Sequence, residues 1–270
     1  LHDRLTHDPD ARCLLLKGRG FARTFHDASY HSELLHTCAR LGPRQCKHID
    51  NDTIVTRYTE LAASYAFGVI DGLTTRVASG ESIFLGVRPA GHHAHYKFPA
   101  GFCVFGNAAF AAYRLLGRGM RVFVFDFDAH HGNGTQDFVD HNFYVDGSKT
   151  GDRGVTIRRD NYYFCSVNQE GLWPGVDDDE GENYLARNLP PGIGDAEFIE
   201  FLEGELVPLV ERFKPTAAVL SAGFDMCRHD ANDRAVRENI GVDMHLTAES
   251  YRAIRDLFEP ARTVRQGKPK

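Results

Sequence analysis

The stretch Arg121-Val-Phe-Val-Phe-Asp-Phe-Asp128 limits the fold more than any other part of the chain. Val122, Val124, Asp126, Asp128 and His130 share one parity, and Phe123, Phe125 and Phe127 hold the other. Successive side chains of a strand point to opposite faces. Such a strand is apolar on both faces, as in a parallel sheet wrapped by helices. Asp126 and Asp128 then have no ordinary place at a surface. Desolvating an unpaired carboxylate costs several kcal/mol or more, so each must be hydrogen-bonded, ion-paired or bound to a cation. Asp128-Ala129-His130, leaving the strand ahead of Gly132-Asn133-Gly134, supplies the residue types of a metal site. A strand end held only by hydrogen bonds is the alternative this segment leaves open.

The rest of the chain alternates strand and helix patterns, which predicts a parallel, doubly wound sheet. Strands are expected at Ser82–Val87, Tyr162–Val167 and Ala217–Asp225, and helices at Ala28–Leu41, Thr56–Ala78, Gly106–Leu116 and Ala196–Phe213. Asp27 or Ser29 suits the N-cap of the first helix and Asp195 that of the last. Asp225 is a second acid at a strand end, able to converge with Asp128 across the sheet. The tandem His92-His93 follows a predicted strand, at the sheet edge where ligands bind in open α/β folds. Asp146–Gly154 reads as an inserted polar loop, and Asp177–Glu180 as a solvated acidic loop. No internal repeat or linker divides the chain, so residues 1–270 are expected to form a single domain.

Composition excludes little but points one way. A content of 42% hydrophobic and 25% charged residues fits one large α/β domain. The net charge of -6 argues against a broad nucleic-acid-binding surface. The six cysteines are scattered without a Cys-x-x-Cys pair, the usage of reduced thiols in an intracellular protein of nucleus or cytoplasm. No run of about 18 apolar residues suggests a membrane span. The first residue is Leu, not Met, so the chain is expected not to begin where its gene does.

With these residues assembled, the sequence resembles the zinc-dependent histone deacetylase superfamily, including the bacterial acetylpolyamine amidohydrolases, and looks most like the class II type. The resemblance rests on Arg88-Pro-Ala-Gly-His-His-Ala94, Gly101-Phe102, Asp126-Phe-Asp-Ala-His-His-Gly-Asn-Gly-Thr-Gln136, Pro190-Pro-Gly192, Ser221-Ala-Gly-Phe-Asp225 and His245-Leu-Thr247, in family order over roughly residues 55–260. It implies a three-layer αβα fold with a mainly parallel sheet, shared with arginases. It implies one Zn2+ held by Asp128, His130 and Asp225, and this agrees with the residue-level reading: three N/O ligands with an open position are the pattern of catalytic zinc. His92 and His93 become the general acid/base pair, with Asp126 matched to His92 and Asn133 to His93. Gly101, Phe102 and Trp173 fall at the walls of a substrate tunnel, although ordinary core packing is the alternative for both aromatics. Asp126, Asp128, His130, Ser166 and Val167 fall where the family holds a monovalent cation such as K+. The implied activity is hydrolysis of acetyl or other acyl groups from lysine side chains of histone tails or other proteins, or from acetylpolyamines.

The sequence also departs from the family pattern. The family places an oxyanion-stabilising Tyr or His in a Gly-rich loop near the end of its domain, and the sequence has no such loop. Tyr251 lies in an expected helix with no role of this kind. Truncation at both ends is therefore expected, and a non-catalytic acyl-lysine-binding module is the competing reading. Asn168 stands where the family usually has His. An arginase-like enzyme with two metals would need further carboxylates where this chain has Gly132 and Cys227, and two carboxylates with one imidazole would accept Fe(II) as well as Zn(II).

Overall fold

The computed structural model describes residues 8–142, 157–228 and 241–259; the expected Asp146–Gly154 loop lies outside them. The first element, α1 (Pro9–Phe25), was not expected from the sequence. Its signals were present: Asp8 accepts from the N–H groups of Asp10 and Ala11, Pro9 opens the first turn, and Ala11, Leu15, Ala22 and Phe25 form a buried stripe. Helix α2 (Ala28–Arg40) follows, and its cap is Asp27, which accepts from Ser29 and Tyr30 N–H. A small antiparallel hairpin, β1 (Cys46–His48) and β2 (Ile54–Thr56), was also unexpected. Helix α3 (Thr59–Ala78) ends at Ser79 and Gly80, the latter at φ +95°.

Ser82–Val87 is not a strand. Its apolar alternation is real, but no ladder partner lies beside it among the described residues, and Phe84 is 83% exposed. The extended segment delivers the chain to the tandem-His loop, with Leu85 packed on the core. Then come α4 (Asn107–Leu116), β3 (Val122–Asp126), α5 (Asn133–Asn142) and β4 (Tyr162–Gln169). The acidic run is not wholly loop: β5 (Asp179–Gly181) is an exposed edge strand antiparallel to β6 (Tyr184–Leu189).

Helix α6 (Asp195–Phe201) continues through a π turn at Leu202–Leu206 into α7 (Val207–Phe213). Pro208 lacks an N–H and its ring crowds the preceding turn, which accounts for the widening. Asp195 is not the N-cap; Gly194 is. The Asp195 carboxylate instead accepts from the Thr247 and Ser250 hydroxyls at 2.6 and 2.5 Å, fastening the start of α8 (Ala248–Phe258). Strand β7 (Ala217–Ser221) precedes α8 and stops four residues short of Asp225.

The main sheet has the order β5-β6-β4-β3-β7, parallel except for β5. β3 is central and buried along its whole length, as its two apolar parities require. Val122, Val124, Tyr162 and Phe164 face the core under α1–α4, with Phe25, Phe67 and Phe110. Phe123, Phe125, Tyr163 and Cys165 face the other core, under α6–α8, with Phe198, Leu206 and Ile254. This is the expected three-layer arrangement. All six cysteines are free, and no described helix is long and apolar enough to cross a membrane.

Candidate active site

The end of β3 turns upward between two parallel neighbours. Asp126 pairs in register with Ser166 on β4 and Ser221 on β7, so the residues that follow these positions open at one edge of the sheet. From there Asp128, His130 and Asp225 converge, with one ligand atom of each within 4.8 Å of the others. His130 Nδ1 lies 3.2 Å from Asp128 Oδ1 and 2.9 Å from Asp225 Oδ2. Asp225 Oδ1 also accepts from Ala129 N–H at 2.9 Å, which ties the two strand ends together. Gly223 permits this approach. A Cβ there would strike the Asp128 carboxylate and stand 2.6 Å from its Cα. Among the described residues this is the one cluster of three or more His, Cys, Asp or Glu able to share an ion.

The electrostatics ask for a cation. Burial by itself would lower the pKa of His130, but Asp128 and Asp225 raise it to about 10. Burial raises Asp225, whose carboxylate also faces that of Asp128, while His92 and His130 hold Asp128 down. A protonated imidazole thus balances the two carboxylates. A divalent ion would do so more fully and would take His130 as a neutral ligand. The donor set, two carboxylate oxygens and an imidazole nitrogen, fits Zn2+.

His92 and His93 enter from the loop between the Ser82–Val87 segment and α4, their rings 3.8 Å apart. The loop sits directly on the first turn of α5. Thr135 N–H donates to the His92 carbonyl at 3.0 Å, and a Cβ on Gly134 would stand 2.5 Å from the His93 carbonyl carbon. His92 Nδ1 lies 3.3 Å from Asp126 Oδ2, and its Nε2 lies 3.6 Å from Asp128 Oδ2. Burial would lower His92, yet Asp128 and Asp126 raise it to about 9. His93 Nδ1 meets only a neutral amide, Asn133 Oδ1, at 2.7 Å. Burial, and then neighbouring His92, lower it to about 2. The two rings are driven toward opposite protonation states. Asp126 is fully buried and also accepts from Asp128 N–H.

The aromatics divide. Trp173 stands edge-on to His93, centroids 4.6 Å apart, and is 49% exposed, so it borders the histidine pair and is not core. Gly101 and Phe102 both adopt left-handed backbone, at φ +52° and +64°. A Cβ on Gly101 would strike the His93 ring and stand 3.0 Å from Trp173. Phe102 is 63% exposed, and its N–H donates to Thr53 Oγ1 at 3.2 Å. Ser166 and Val167 are buried beside the end of β3; Ser166 Oγ lies 3.1 Å from His131 Nδ1. Asn168 is buried in β4 and bonds Asn188. Tyr251 packs against Phe127 and Phe224 on α8.

Two contributors escaped sequence reading. Buried Thr53, in the β1–β2 hairpin, orients Phe102. Buried His26 accepts from Gly106 N–H through Nε2 at 3.1 Å, so its Nδ1–H is left to donate to the His95 carbonyl at 3.1 Å, clasping both ends of the histidine loop. Only the position of His26, one residue before a helix cap, hinted at either.

The sequence matches the family model described as histone deacetylase domain over residues 19–265. The chain belongs to the histone deacetylase domain family. Histone deacetylase 15 of Arabidopsis thaliana is 30% identical over 233 residues, covering 81% of this chain and 39% of the plant protein, so the chain spans well under half of that relative. Among solved structures, the HDA15 HD domain is similar with TM-score 0.68 and 25% identity, covering 87% of this chain and 65% of that one. An acetylpolyamine aminohydrolase of Burkholderia pseudomallei shares the fold with TM-score 0.65 and 24% identity over 88% of this chain and 82% of that one. The family and these structural neighbours agree with the αβα fold and the mainly parallel sheet expected from the sequence.

Proposed function

We propose that this domain hydrolyses acyl-lysine-type amides, removing acetyl or related acyl groups from lysine side chains of histones or other proteins. The observation that carries this reading is the meeting of Asp128, His130 and Asp225 with two differently supported histidines. A Zn2+ held by those three residues would supply a polarised substrate carbonyl and an acidified water. The chain's own residues do the rest. His93, neutral and supported by an amide, takes the water's proton at Nε2. His93 then passes that proton to the departing amine, while His92, held toward the charged form by Asp128 and Asp126, keeps its proton and supplies positive charge. Trp173 and Phe102 offer apolar walls to the aliphatic stem of the lysine, and Gly101 leaves the space between His93 and Trp173 open. K+ beside Asp126, Ser166 and Val167 would stiffen the strand end that carries the ligands.

The likeness to an acetylpolyamine aminohydrolase makes acetylpolyamines the second substrate class to test. An arginase-like pair of metals is less well supported, since Asp126 Oδ2 would stand 2.5 Å from a Cβ on Gly132. The deciding experiment is turnover of acetyl-lysine peptide and of acetylpolyamine by the full-length gene product, with and without chelator and zinc add-back. Chelator-sensitive release of acetate supports the enzyme. Zinc-dependent binding of acetyl-lysine peptide without turnover would favour the binding module.

A further inference from the structure

We infer that His95 and Asp137 are positioning residues that fix the orientation of Asn133, and through it which nitrogen of His93 faces the site with a lone pair. The inference deepens the deacetylase reading and rests on it for its catalytic consequence. Its structural content stands alone. Asp137 Oδ2 accepts from Tyr96 N–H at 2.9 Å, which ties α5 to the histidine loop. The same oxygen lies 3.3 Å from His95 Nδ1. His95 Nε2 lies 3.2 Å from Asn133 Nδ2, and Asn133 Oδ1 lies 2.7 Å from His93 Nδ1. Four side chains therefore form one file from a carboxylate to the candidate base.

Donor and acceptor chemistry gives the file a direction. An ionised carboxylate only accepts, so the His95 nitrogen facing it carries the hydrogen. In neutral imidazole the other nitrogen then accepts, and the Asn133 group facing it must be the amide NH2. The Asn133 oxygen is thereby turned toward His93, whose Nδ1 must donate to it. The lone pair of His93 is left on Nε2. An amide alone would not enforce this, because turning it over reverses the hydrogen bond. The buttress is itself fixed: the His95 ring stacks on Phe98 with centroids 4.2 Å apart, and its backbone carbonyl is held by His26. His95 and Asp137 side chains are 16% and 17% exposed, which shields the file from competing water.

The test uses the full chain with 15N-labelled histidine, reading the His93 tautomer by NMR and assigning it with His93→Gln. Wild type is expected as the Nδ1–H form. His95→Phe keeps the stacking ring but deletes the acceptor, and is expected to populate the other tautomer. His95→Gln returns an acceptor and is expected to restore the wild-type spectrum. In the turnover assay His95→Phe should lower kcat about tenfold or more with KM within about twofold, the scale of losing an outer-shell partner, and His95→Gln should recover much of it. A His93 tautomer unchanged in His95→Phe, or Nε2–H in wild type, overturns the inference whatever the turnover. The expected tautomer shifts in a chain that turns over no acylated substrate would uphold the file and sink the deacetylase reading instead.

Discussion

At single residues, the site depends on which side chains share a centre and which glycines leave room for them. Replacing Asp225 by Asn removes a charged ligand opposite His130 and should weaken zinc binding by more than the roughly 10–100-fold that an outer-shell partner costs; competition with a chelating dye measures it, and wild-type affinity would remove Asp225 from the ligand set. Gly101→Ala is a different test. Its Cβ meets the His93 ring and its φ of +52° disfavours any side chain, so turnover should fall about a hundredfold, the cost of a displacement near 1 Å at reacting groups. Zinc content should stay at the wild-type level. The candidate ligands and the tandem histidines were legible in the sequence through the cost of burying Asp126 and Asp128 in a strand apolar on both faces, joined to the resemblance to the deacetylase family. Thr53 and His26 were not, because a buried Thr or His carries no signal until its partners are known.

Among the elements, the crossing of α1 and α3 is made backbone to backbone. A Cβ on Gly18 would run into the Ser64 carbonyl, and one on Gly68 into the Leu14 carbonyl. Neither obstacle is a flexible side chain, so the helices must separate. Gly18→Ala and Gly68→Ala should each destabilise by about 3 kcal/mol or more, read as a lowered urea midpoint; a change within about 0.5 kcal/mol would contradict the crossing. Helix α1 itself lay in plain sight, with its Asp-Pro start and apolar stripe, yet Arg12, Lys17, Arg19 and Arg23 and the two glycines Gly18 and Gly20 masked the pattern. Ser82–Val87 shows the reverse. Its alternation is that of a strand, but a ladder needs a neighbour, and local pattern does not supply one. Asp195 likewise had the residue type of a cap and spends its carboxylate on the start of α8, a partner about 50 residues away.

For the molecule as a whole, the α1–α3 layer holds one buried charge apart from the site. Glu60 is 2% exposed and meets Arg19 Nη2 at 2.6 Å, Ser64 Oγ at 2.8 Å and, at a longer 3.7 Å, His31 Nε2. Burial would raise its pKa, but His31, Arg19 and Ser64 hold it at about 2. A carboxyl depressed in the folded state contributes stability above its ordinary pKa, and that contribution is lost as pH falls through the folded value. Stability on the order of 3 kcal/mol should therefore disappear between about pH 4.5 and 2. Glu60→Gln should flatten that part of the curve, measured by urea unfolding across the range; an unchanged slope would place the acid sensitivity elsewhere. The sequence by itself determined the doubly covered central strand, the αβα class and the buried acids that must find a partner, because periodicity and the cost of buried charge act locally. Tertiary structure alone decided which strand found a neighbour, how closely two helices could cross, and that Asp137, His95, Asn133 and His93 stand in file, because those outcomes depend on distances between segments far apart in the chain.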